Sequence, residues 1–114
     1  MMNEDMTKFV RACIAKGEGE ESGDTKHDWK YYDIIRKVYL KLKKEQRLDE
    51  LLPLLQHENP YVRLWAAGYT LQIDPVKAEE TLERLAATRK LMAGFSAQIT
   101  LREWRSGHFA PAER

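Results

Sequence analysis

The sequence predicts an all-α domain of about six helices, built around two stacked helical hairpins with an added N-terminal helix. Three observations carry that expectation. Apolar residues recur at helical spacing along most of the chain. Asn59-Pro60 and Asp74-Pro75 each place a capping residue before a proline, which marks a helix start twice. A gapless shift of 30 residues also brings Glu50, Leu52, Leu55, Thr70 and Leu71 onto Glu80, Leu82, Leu85, Thr100 and Leu101.

The elements follow in order. Asn3 is a fitting N-cap for a first helix over 4–16, with Glu4 and Asp5 at its positive end. Met6, Phe9, Val10 and Cys13 make one apolar stripe, and Gly17 is placed to end the helix. Residues 17–26, rich in Gly, Glu, Ser and Asp, read as an acidic loop. A second helix near 27–45 carries Tyr31, Tyr32, Ile34, Ile35, Val38, Tyr39 and Leu42 on one broad face. Lys30, Lys37, Lys41 and Lys44 line another. Trp29 and Leu40 fall outside the main apolar face, and the first helix is expected to dock there.

Asp49 is expected to cap a third helix ending near Gln56, with His57 at its C-terminus. Residues 60–73 are apolar on nearly all sides, which requires a central helix covered by others. Helices over 75–88 and 90–106 follow, the last stopped by Gly107 and leaving 108–114 as a frayed tail. In the 30-residue echo, Trp65, Ala67 and Tyr69 meet Phe95, Ala97 and Ile99, while Arg89-Lys90-Leu91-Met92 replaces the Asn-Pro break. One domain, 1–114, is expected, with 27–107 as its repeat core.

Composition narrows the class. With 114 residues, 43% hydrophobic and 32% charged, the chain reads as a soluble globule. No apolar run approaches the roughly 20 residues a spanning helix needs. Met1-Met2-Asn3-Glu4-Asp5 lacks the pattern of a secretory signal, so a cytoplasmic location without membrane contact is expected. Charge is polarised. Residues 1–25 hold three basic and six acidic side chains, while 26–47 hold eight basic and three acidic.

Leu51-Leu52-Pro53-Leu54-Leu55, then Asn59-Pro60-Tyr61-Val62-Arg63, then Ala66-Ala67 resembles a HEAT-type helical repeat over about residues 48–106. More closely, Val62-Arg63-Leu64-Trp65-Ala66-Ala67, Gly94-Phe95-Ser96-Ala97 and Thr100-Leu101-Arg102-Glu103-Trp104-Arg105 resemble a family of small bacterial domains of unknown function. Such domains are similar to immunity proteins, which neutralise a toxin encoded beside them. The resemblance implies protein binding and supplies no catalytic residues.

The residues themselves point the same way. His27, His57 and His108 are dispersed, so neither a metal nor another cofactor is expected. Gly17-Glu18-Gly19 is ringed by carboxylates that would repel phosphate. Cys13 lies on an apolar stripe, and Glu79, Glu80 and Glu83 suit a helix beginning, so no enzyme is expected. Arg63 reads as a brace, with Asp33, Glu58 or Asp74 as its partner. Asn59, Pro60, Trp65, Asp74, Pro75 and Trp104 read as structural.

The expected function is non-catalytic protein binding, in its sharpest version toxin neutralisation by occlusion. Lys30, Lys37, Lys41 and Lys44 of the basic helix 28–45, with Glu18, Glu20 and Glu21, are the candidate contacts. Nucleic-acid binding through the lysines is the alternative. A monomer or a homodimer suits either.

Overall fold

Side-chain caps set three of the helix starts. Asn3 accepts from the Met6 amide at 2.9 Å, Asn59 from those of Tyr61 and Val62 at 2.8 and 3.3 Å, and Asp74 from that of Lys77 at 3.2 Å. Each satisfies an amide that has no partner within its helix. The computed structural model describes residues 3–88 and 91–109. Among these are α1 (Glu4–Ser22), α2 (Asp28–Lys44), a 3-10 helix (Leu48–Gln56), α3 (Pro60–Thr70), α4 (Pro75–Ala86) and α5 (Met92–Arg105), with no strand. The expected all-α fold of about six helices is therefore observed.

Helices adjacent in sequence pack on one another: α1 on α2, the 3-10 helix on α3, α3 on α4, and α4 on α5. α3 also meets α1 and α5, which makes it the central element. Its Val62, Ala66, Ala67 and Thr70 are fully buried, with Tyr61, Leu64 and Tyr69 nearly so. An apolar surface on every side is stable only when neighbours cover each side.

Several expectations are corrected. The segment 17–26 is largely helical, because α1 continues through Gly17 and Gly19 and stops only at Gly23, which takes φ +82°. Gly17 serves a different purpose from a helix stop. A Cβ there would lie 2.2 Å from the Tyr61 ring, so glycine lets α1 and α3 cross closely. Gly23, in the left-handed conformation, provides the actual C-cap.

The stretch 48–56 is helical as expected, but it winds as a 3-10 helix. Pro53 has no amide to donate, and three residues per turn stacks Leu48, Leu51 and Leu54 on one buried face. Asp49 does not cap it; Arg47 precedes it without a side-chain cap bond. His57 does sit at its end, where Nδ1 accepts from the Asn59 amide at 3.0 Å.

Trp29 is not where α1 docks. It is 82% exposed, and α1 instead shares a groove with Tyr31, Ile34 and Val38 of the main apolar face. Of the tail, Phe109 folds back edge-on to Trp104 at 6.5 Å, and residues 110–114 lie outside the described residues. Arg89 and Lys90 of the replaced break also lie outside them.

Candidate functional site

The α1–α2 pair builds the most polarised surface. Ala12 and Ala15 of α1, with Tyr31, Ile34 and Val38 of α2, floor a groove of about 650 Å³. Small residues at i and i+3 on α1 leave room between the helices. Along its walls stand Lys8 and Arg11 from α1 and Lys30, Lys37 and Lys41 from α2. Three of the four expected lysines therefore converge on one groove. Lys44 is exposed and not among the lining residues. Lys8 and Arg11 were legible in principle, since they share a helical face with Ala12 and Ala15.

Internal carboxylates neutralise part of this charge. Lys37 pairs with Asp33 at 2.9 Å, Lys8 with Glu4 at 3.2 Å and Lys41 with Asp5 at 3.2 Å. Arg11 and Lys30 have no carboxylate partner among the described residues. The exposed Lys37–Asp33 and Lys8–Glu4 pairs contribute little to stability, so their cations can turn to another carboxylate at small cost.

One end of the groove is locked by a network. α2 stops where Gln46 adopts φ 57° and the Arg47 amide donates back to the Leu42 carbonyl, which turns the Arg47 side chain inward. Its guanidinium binds Glu50 through Nε at 2.7 Å, Asp5 at 3.3 Å and also Glu45. Asn3 adds a bond to Glu50 at 3.0 Å. The bonds from Arg47 and Asn3 hold the Glu50 carboxyl down at about 2, and the bond from Lys41 likewise lowers Asp5.

The other end of α1 lies over a cleft of about 800 Å³ whose walls include Lys16, Glu18, Glu21, His27, Asp28 and Tyr61. Lys16 is only 8% exposed. Its ammonium reaches Glu20 at 3.1 Å and Asp28 at 3.0 Å, and lies 5.7 Å from the centre of the Trp65 ring. Burial alone would lower its pKa, but the bonds to Asp28 and Glu20 outweigh that and raise it. Glu21 accepts from the Tyr61 hydroxyl and, at 3.0 Å, from the Met92 amide at the start of α5. Burial and then this bond push the Tyr61 hydroxyl up. Glu20 and Glu21 thus have partners within the molecule, although Glu21 stays exposed, and of the three acidic candidates Glu18 alone has no such partner among the described residues.

Trp65 lies within an aromatic series that runs outward from the core. Tyr39 stacks on Tyr69 at 4.0 Å, Tyr69 meets Trp65 at 5.9 Å, Trp65 meets Tyr32 at 6.0 Å, and Tyr32 meets Trp29 at 5.9 Å. Trp104 donates to Glu79 at 3.3 Å, beside the pairs from Arg105 to Glu79 and Glu83, and so ties α5 to α4. Asn59 and Asp74 cap, and Pro60 and Pro75 open, the helices they precede. Arg63 departs from its expected role. Among the described residues it pairs with none of Asp33, Glu58 and Asp74, and its Nε is buried without a partner.

Cys13 is fully buried, and that burial raises its thiol well above the usual value, which disfavours the nucleophilic thiolate. Among the described residues, no three His, Cys, Asp or Glu gather to hold a metal ion, and no helix is long and apolar enough to cross a membrane. The expectation also missed an exposed stripe on α5, where Met92, Phe95 and Ile99 are 48%, 55% and 51% exposed.

Comparison with known proteins gives a family and a fold. A solved structure similar to this one is that of the protein RPA1889 from Rhodopseudomonas palustris CGA009, with 24% identity and a TM-score of 0.85 over 95% of this chain and 91% of that one. At that identity the likeness speaks for the fold alone. No curated protein matches the chain. The model of a domain of unknown function (DUF2019) matches residues 7–104, and the chain belongs to that family.

Proposed function

We propose that this member of the family is a non-catalytic protein-binding domain, and that the α1–α2 groove takes an acidic, partly apolar segment of its partner. The observation that carries this reading is the combination of five cations with one carboxylate around an apolar floor. An apolar floor rewards side-chain burial, and the cations steer and orient a segment of opposite charge. A HEAT-like stack of helical hairpins suits this role, because it presents a rigid surface without requiring a catalytic cavity. In its sharpest form the protein is an immunity protein that occludes a bacterial toxin encoded nearby, as the resemblance of the 62–67 and 94–105 segments implies.

Co-expression with the product of the neighbouring gene tests this. A stable complex is expected, together with protection from that product's toxicity. The double charge reversal Arg11→Glu/Lys30→Glu should weaken the complex by about tenfold or more, since neither cation has a carboxylate partner among the described residues. A complex indifferent to those changes, or no complex, would remove the groove reading. The lysines also keep nucleic acid as a second reading. Gel retention that falls steeply with salt and is lost in the same double variant would favour it.

A further inference from the structure

Arg63 leaves a charge unaccounted for. Its Nε is buried without a hydrogen-bond partner, and its side chain makes no ion pair among the described residues. Of the acids expected to brace it, Asp33 pairs with Lys37 at 2.9 Å, Asp74 accepts from the Lys77 amide at 3.2 Å, and Glu58 makes no ion pair with it among the described residues. Arg63 opens into a cleft of about 560 Å³ between the 3-10 helix, α3 and α4, which Lys77, Glu80 and Arg84 also line. The single carboxylate there, Glu80, is held by Arg84 at 2.6 Å. Two cations, Arg63 and Lys77, therefore face the cleft without a counter-charge among its described lining residues. Leu52 and Leu55 supply an apolar wall beside them.

A partly buried guanidinium without an anion forgoes the bidentate bonds its planar fork is built to make. Leaving the buried Nε donor unmatched is costly. We propose that this cleft is a binding site for a small amphipathic anion, whose oxyanion head bonds Arg63 and Lys77 while its apolar body lies on Leu52 and Leu55. The site is separate from the α1–α2 groove and does not depend on the function proposed for it. Phosphate and carboxylate heads share the chemistry a guanidinium fork recognises, and the test separates them.

The test follows the Arg63 Nε–H signal by proton–nitrogen NMR at constant ionic strength, with chloride as the balancing anion. Phenyl phosphate, inorganic phosphate and benzoate are titrated in turn. A saturable shift is expected with phenyl phosphate, and weaker binding with inorganic phosphate, which has no apolar body. Whichever of phenyl phosphate and benzoate binds tighter assigns the head group. Binding, followed at backbone amides lining the cleft, should weaken by about tenfold in Arg63→Met. Arg63→Lys, which keeps the charge and loses the fork, serves if Arg63→Met does not fold and should also weaken it. Lys77→Gln lies on the exposed surface and should weaken binding by about threefold through the lost charge alone. No saturable shift with any of the three anions would overturn the proposal. So would affinities in the arginine variants equal to the parent's.

Discussion

α3 and α5 occupy equivalent places in the 30-residue echo, yet one is sealed and the other is not. Ala67 and Ala97, and Leu71 and Leu101, are buried in both copies, because each helix packs on the partner of its own hairpin. The opposite face separates them. On α3, Val62, Trp65 and Tyr69 are covered, with Phe9 of α1 lying 6.4 Å from Tyr69 and Tyr39 of α2 stacked on it. On α5, the corresponding Met92, Phe95 and Ile99 stand half exposed. Similar apolar patterns thus become core or surface according to whether other helices cover them. Burial here is set by the neighbouring elements rather than by the helix's own pattern.

The largest expected contrast comes from truncating the two faces. Tyr69→Ala should cost about 3–5 kcal/mol, as removal of large buried aromatic side chains does. Ile99→Ala should stay within about 1 kcal/mol, since roughly half of its side chain is already in water. Urea denaturation of both variants measures the difference, and equal losses would break the comparison. Next in size is the crossing that seals α3. Gly17→Ala drives a Cβ into the Tyr61 ring and should cost about 1–3 kcal/mol. Gly68→Ala, on α3 itself, meets only the Phe109 ring at 3.9 Å and should gain about 0.5–1 kcal/mol from helix propensity.

A smaller effect tests how well α3 is satisfied. The Tyr69 hydroxyl is buried without a hydrogen-bond partner among the described residues. Tyr69→Phe keeps the stacked ring and should leave stability unchanged or raise it by about 1 kcal/mol. A clear loss in thermal denaturation would mean that the hydroxyl has a partner in solution. The smallest effect concerns the network that holds α1 in place over α2. Glu50 is held at about 2 against an ordinary value of 4.5. A lowered carboxyl pKa stabilises above its unfolded value and loses that contribution as pH falls through the folded one. Stability should therefore decline between about pH 4.5 and 2, and Glu50→Gln should flatten that decline in acid denaturation.

Much of this architecture was legible from local signals. Asn3, Asn59-Pro60 and Asp74-Pro75 name their own helix starts because caps are local chemistry. The all-round apolar character of 60–73 required a central helix, and α3, Pro60–Thr70, is one. The acidic stretch was misread because glycine has two uses, and only the position of Tyr61 shows that Gly17 permits a close crossing. Likewise, the lysines were legible as a stripe, but not the groove they share with Lys8 and Arg11, since that depends on how α1 lies against α2. The partners of Glu20 and Glu21 were not legible, because Lys16 and Tyr61 reach them only through helical spacing and the helix crossing.

By itself the sequence determined the helix count, most helix starts and the centrality of α3, because each follows from periodicity and capping within a few residues. Tertiary structure alone decided which copy of the repeated face is covered, which carboxylates are engaged internally and which cations are left over. Those outcomes are set by contacts between residues far apart in the chain. Arg63 illustrates the division. Its place near the start of α3 was fixed by the Asn-Pro cap, while its lack of a carboxylate partner among the described residues was decided by how the 3-10 helix and α4 pack beside it.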